Sequence, residues 1–205
     1  MKKTILLSLI ILPAFLTGII ASEPVTNTKF YTVYGSLPEV SHIETHGTAD
    51  GNVLPFLIGP ENPIDQKAAV MNTLLVNNQN KNNAVTFRMF VARTYRENFE
   101  TLDLNKLTAD ELFCLGYLTL LDEDGATANA LPILQMAKVK NPSSSTIAIV
   151  HALATTQASA KAGNPCEGWN LFMQVVGNSS LNNDMHPEMV SIVSRSMQPY
   201  GEGCQ

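Results

Sequence analysis

The chain has 205 residues, with 13 Lys and Arg against 18 Asp and Glu, a formal net charge of -5, and 45% hydrophobic residues. That balance argues against binding nucleic acid through a basic surface, which phosphate neutralisation requires. The apolar content suffices for one domain with a sizeable core, and the acidic excess otherwise speaks only for solubility.

Residues 1–22 open with Met1-Lys2-Lys3, run apolar from Ile5 to Ile20, and reach Ala21-Ser22. A basic start, an apolar run and a small residue before a polar region predict a secretory signal peptide cleaved after Ala21 or Ser22. Pro13 interrupts the run, which is shorter than the roughly 20 residues of a spanning helix. Large Ile19 and Ile20 near the cut keep an uncleaved anchor as the alternative. The Lys-Lys leader and the many Asn and Ile residues point to a bacterium, and so to a periplasmic or secreted protein. No later run is long enough to span a bilayer, so no membrane span is expected once the leader is removed.

Residues 23–61 are rich in breakers: Pro38, Gly47, Gly51, Pro55, Gly59 and Pro60. The stretch "KFYTVYGSL" alternates like a strand. Together these predict an extended, partly disordered arm holding one short strand or hairpin, which packs on the domain through Phe30, Tyr31, Leu54 and Phe56 or remains mobile.

From residue 62 the pattern is helical. Asn62-Pro63-Ile64-Asp65 predicts a helix start, with Asn62 as cap, Pro63 in the first position and an acid at the positive end. The next helix is expected over 83–99, with Phe87, Phe90, Val91 and Thr94 on one face and Arg93 and Arg96 on the other. Thr108-Ala-Asp-Glu111 is a capping box opening "LFCLGYLTLL", apolar nearly all round and therefore central. Ser145 is the expected cap of a helix ending near Ala162, with Gly163 just beyond. Asn164-Pro165-Cys166-Glu167 starts another, stopping at Gly177. The last is expected from Pro187 to just before Pro199, with Met189, Ile192, Val193 and Met197 inward. The domain at 62–205 therefore reads as all-α: about seven helices in stacked antiparallel hairpins, solenoid-like, preceded by the arm.

Between two of these helices lies Asp122-Glu123-Asp124-Gly125, which looks like the start of a calcium loop. Counting from Asp122, however, Gly125 falls at the fourth place rather than the sixth, and the twelfth is Ile133 rather than Glu. The expectation is instead a turn over 122–128, with Asn129 capping the second helix and Pro132 tolerated in its first turn.

Leu112, Leu115 and Gly116 lie in one expected helix, and Ala130, Leu134, Ala137 and a closing Pro142 in the next. In these residues the segment 112–142 resembles one tetratricopeptide repeat, the first three fitting the family's first helix and the other four its second. Leu112 stands where the family has Trp, Thr119 where it has an aromatic, and the turn is two residues longer. The resemblance implies helical-hairpin architecture and protein binding, with no individual binding residue carried over.

Three sets of side chains are candidate sites. His42-Ile-Glu44-Thr-His46, if extended, points His42, Glu44 and His46 the same way, a donor set that suits zinc, with Asp50 as a fourth ligand. The competing reading is an exposed polar edge. Of the three cysteines, Cys166 sits at a helix start, where the helix dipole can activate a thiol. The competing and preferred reading is a Cys166–Cys204 disulfide, leaving Cys114 as a buried free thiol. Arg88, Arg93 and Arg96 are candidates for reading an acidic partner, against the alternative of an ordinary solvated face. His151, on an Ala-rich helix, reads as a core or groove histidine rather than a ligand.

No Gly-rich phosphate loop, nucleophile elbow, HExxH or CxxC motif is present in the sequence. The reading is therefore an exported helical-repeat-like module that binds another protein, with no catalytic residue and no cofactor assigned. The alternative is an exported metal-binding factor or enzyme using the His42/Glu44/His46 region.

Overall fold

The computed structural model describes residues 24–78 and 81–204. The expected leader, residues 1–22, lies outside them. Among the described residues the chain is all-α, without strands; the one ladder-type contact is an isolated bridge between Ser144 and Asn182. No helix among them is long and apolar enough to cross a membrane.

The first segment departs from the expected arm. It consists of α1 (Pro24–Asn27), a 3₁₀ turn (Phe30–Tyr34), α2 (Pro38–His46) and α3 (Leu54–Ile58). Val25, Phe30, Val40, Ile43, Val53, Leu54 and Leu57 are all buried in the main core. Phe30 stacks on Tyr117, with ring centroids 6.5 Å apart. The predicted strand does not form, and the reason is local. A buried strand needs a neighbour for its backbone polar groups. Here Asn72 takes that role: its Oδ1 accepts from the Tyr31 N–H at 3.0 Å, and its Nδ2 donates to the Thr28 carbonyl at 3.0 Å. The same amide donates to the Tyr117 hydroxyl at 2.8 Å.

The prolines and glycines of this segment punctuate short helices rather than forbid them. Pro38 occupies the first position of α2, where its missing N–H costs nothing. Gly47 closes the helix in the left-handed region at φ 65°, which glycine adopts without strain.

α4 (Ile64–Asn72) begins one residue later than expected. Pro63 is its cap position, and Asn62 instead donates its side-chain amide to the Phe56 carbonyl at 2.8 Å. α5 (Asn83–Tyr95) stops short of residue 99 because Arg96 turns left-handed at φ 57°. α6 (Ala109–Asp122) carries the full capping box: the Glu111 N–H donates to Thr108 Oγ1, and the Thr108 N–H to Glu111 Oε2. Its residues from Glu111 to Leu118 are buried without interruption, as expected for a helix apolar on every side.

α7 (Ala130–Lys140), α8 (Ser145–Lys161), α9 (Pro165–Val176) and α10 (Pro187–Gly201) follow. The cap of α8 is Ser144, one residue before the expected Ser145. α10 runs through Pro199, which sits in its last turn and so disturbs little of the helix. From α5 to α10, each helix packs on the next in sequence. α10 also returns to the 3₁₀ turn and to α1, and α1 lies against α8. The amino-terminal segment is thus enclosed by helices from both halves of the chain. Two glycines let sequential helices approach closely: a Cβ on Gly116 would lie 2.9 Å from Leu134 Cγ, and one on Gly168 2.8 Å from Thr156 Cβ.

Candidate functional site

Three hollows surround the outer side of α5. One, about 460 Å³, lies between α5, the 3₁₀ turn Leu104–Lys106, α6 and α7. Ala84, Val85, Leu104, Leu115 and Ile133 make its apolar walls, and Arg88, Lys81, Asp122 and Glu123 its charged rim. The other two flank Met89 and Arg93. Val85 and Met89, one helical turn apart, are 48% and 51% exposed, so an apolar strip remains uncovered on a helix whose opposite face is buried through Phe87 and Val91.

The charges on α5 are all of one sign. It carries Arg88 and Arg93 and no acid. Arg88 reaches the Glu100 carbonyl with Nη2 at 3.4 Å, while its Nε is buried without a partner. Of the three arginines singled out in the sequence, Arg88 lines the hollow against α6 and α7, and Arg93 the two beside it. Arg96 stands exposed at the helix end.

The acidic turn at 122–125 supports this site from below. Asp122 Oδ2 accepts from the Ala84 N–H at 2.7 Å and Asp122 Oδ1 from Asn83 Nδ2 at 2.8 Å, so the last residue of α6 caps the start of α5. Burial holds the Asp122 carboxyl above the ordinary carboxylate range, against the pull of these donors. Asp124 pairs with Lys81, and Glu123 accepts from Asn129 Nδ2 at 2.8 Å. Asp124 and Gly125 both turn left-handed, and the Gly125 N–H donates to the Leu120 carbonyl at 2.7 Å, a close of the Schellman type. Every acid of the stretch therefore has a partner within the protein. The sequence left unforeseen that Asp122 would cap a helix 38 positions earlier; only its place beside a helix end hinted at it.

The histidine set expected for a metal is not assembled as drawn. His42, Glu44 and His46 lie on α2 and not on a strand. On a helix, residues two apart point to different sides, so Glu44 separates from the histidines, whereas His42 and His46 share a face. Among the described residues, no three His, Cys, Asp or Glu side chains converge as a metal-binding group.

The cysteines stand as expected. Cys166 and Cys204 are joined, with a Cα–Cα distance of 5.3 Å, and Cys114 is buried and free. Burial raises the Cys114 thiol well above its ordinary value, which removes it as a nucleophile at neutral pH.

A second polar cluster joins Tyr34, Asp65 and His186. The Tyr34 hydroxyl donates to Asp65 Oδ2 at 2.6 Å, and the His186 N–H donates to the same oxygen at 3.2 Å. Burial and then Asp65 raise the phenol's pKa. His186 Nδ1 accepts from the Glu188 N–H at 3.2 Å, capping α10. These bonds fasten the 3₁₀ turn, α4 and α10 together.

His151 is buried on α8, with Nδ1 unpartnered. Burial, helped by the positive charge of Lys138, pushes its pKa down to about 4. The folded protein thus holds it neutral while the unfolded chain, titrating near 6.5, takes up a proton. Stability is expected to fall as pH drops from about 6.5 towards 4, and His151→Leu to flatten that slope. Urea midpoints measured across this range check the sign; parallel slopes for both proteins would contradict it.

No family model, curated protein or solved structure matches this chain.

Proposed function

We propose that this chain is an exported bacterial module that binds another protein through the outer face of α5. The observation that carries the reading is that face: Val85 and Met89 exposed in line, Arg88 and Arg93 beside them, and hollows on either side. A partner segment with one or two large apolar side chains flanked by carboxylates fits it. Apolar groups fill the hollows, and the carboxylates meet guanidinium groups in a chain otherwise rich in acid. The tetratricopeptide-like residues at 112–142 support the reading, since α6 and α7 form the far wall of the hollow that Arg88 lines. The Cys166–Cys204 pair supports export to an oxidising compartment.

A photo-crosslinking amino acid placed at Met89, with another at exposed Gln198 as control, tests this in the native cell envelope and culture supernatant. The expected result is a discrete adduct from position 89 that is absent from position 198. Arg93→Glu should abolish it. An adduct pattern common to both positions and indifferent to Arg93→Glu would overturn the proposal.

A further inference from the structure

Two imidazoles stand together on the outside of α2, far in purpose from the α5 face. His42 and His46 are one helical turn apart, with ring centroids at 4.2 Å and planes inclined by 21°. His46 is exposed and His42 partly so. Their hydrogen bonds fix which nitrogens carry protons. His42 Nε2 lies 3.0 Å from Asp50 Oδ2, a carboxylate that accepts. His46 Nδ1 lies 2.9 Å from the His42 carbonyl, which also only accepts. These partners place the protons on His42 Nε2 and His46 Nδ1, leaving His42 Nδ1 and His46 Nε2 as lone-pair atoms.

We propose that His42 and His46 chelate one first-row divalent cation, Cu²⁺ most tightly, with Asp50 as the positioning residue behind His42. Neutral imidazoles suit such ions, and for a given nitrogen site affinity rises to a maximum at Cu²⁺ and falls at Zn²⁺. Two ligands four residues apart on one helix face reach the same ion, which is the geometry Glu44 lacks. The Asp50–His42 contact repeats the carboxylate–histidine pairing that orients a metal-bound ring and raises its basicity. Asp50 is itself held, since its Oδ1 accepts from the Asn52 N–H at 2.9 Å. The stacked rings must open at one edge before both lone pairs meet one ion, an adjustment available to exposed His46. Water completes the coordination. The site is independent of the α5 face and stands or falls without it.

Titration of the purified protein with Cu²⁺ at pH 7.5, followed by d–d absorbance and calorimetry, tests the site. One equivalent is expected to bind, and Zn²⁺ more weakly. His46→Ala should weaken Cu²⁺ at least tenfold and His186→Ala should leave it unchanged. Asp50→Asn should weaken binding about tenfold, the lower end for loss of such a partner, and should shift the His42 side-chain ¹⁵N resonances away from the Nε2–H tautomer. His46→Ala removes only an exposed ring, so its fold, checked by circular dichroism, is retained. A Cu²⁺-dependent rise in Tm seen in the wild type should vanish in it. Equal affinity in the wild type and the His42→Ala, His46→Ala double variant would overturn the proposal. Unchanged affinity in Asp50→Asn would remove Asp50 from it.

Discussion

Phe30→Ala is expected to lower the free energy of unfolding by about 3–5 kcal/mol, the usual range for removing a fully buried phenyl ring. Phe30 has no exposed surface and stacks on Tyr117, itself buried in α6. Its neighbours leave little room to collapse into the void: Asn72 holds the backbone on both sides of it, through the Thr28 carbonyl and the Tyr31 N–H. A residue on a loosely attached arm would behave otherwise, changing stability by no more than about 0.5 kcal/mol. Urea unfolding followed by circular dichroism separates the two outcomes. A change below about 1 kcal/mol would mean that the amino-terminal segment is not part of the cooperative core.

The second large effect is expected at the pair formed by Lys67 on α4 and Asp110 on α6. Lys67 Nζ lies 2.8 Å from Asp110 Oδ2, and the Lys67 side chain has no exposed surface while that of Asp110 keeps 32%. Removing the carboxylate strands a buried ammonium, so Asp110→Ala should cost about 3 kcal/mol, at the low end for breaking such a pair because water still reaches Asp110. The double variant Lys67→Met, Asp110→Ala should recover much of that loss, since the methionine fills the same space without a charge to desolvate. Chemical denaturation of the single and double variants measures this. A single variant as stable as the wild type, or a double variant worse than the single, would contradict the assignment of the cost to the stranded charge.

The helical domain was legible because its signals are local. The capping box at Thr108 and Glu111 needs only four residues, and it forms as read. The unbroken apolar run of α6 announces a helix covered on every side. The Cys166–Cys204 pairing follows from an odd count and from one cysteine lying inside an apolar helix. The packing of the amino-terminal segment through Phe30, Tyr31, Leu54 and Phe56 was legible, but its helical conformation was not, because its deciding contacts are distant. Nothing in "KFYTVYGSL" reveals that Asn72, some forty positions later, will satisfy its backbone and make a strand partner unnecessary. The histidine set was half legible. His42 and His46 do share a face, but through a helical period of four rather than a strand period of two, and that change expels Glu44. The α5 face was legible only as three arginines. Its apolar strip and hollows depend on α6, α7 and the turn at 104–106, whose placement no periodicity in α5 encodes.

The covalent link between Cys166 and Cys204 has a mechanical consequence. It closes a loop containing most of α9 and all of α10, with a sequence separation of 38. Tension applied to the chain beyond Cys204 is therefore passed to Cys166 at the head of α9 and bypasses α10 altogether. α10 stays slack and keeps its grip on the 3₁₀ turn and α1, whatever pulls on the tail. A load from that side must instead draw α9 away from α8, where Gly168 lets the two helices meet most closely. Under reducing conditions the same pull would peel α10 first and uncover Phe30's neighbourhood. The bond thus decides which helix yields first.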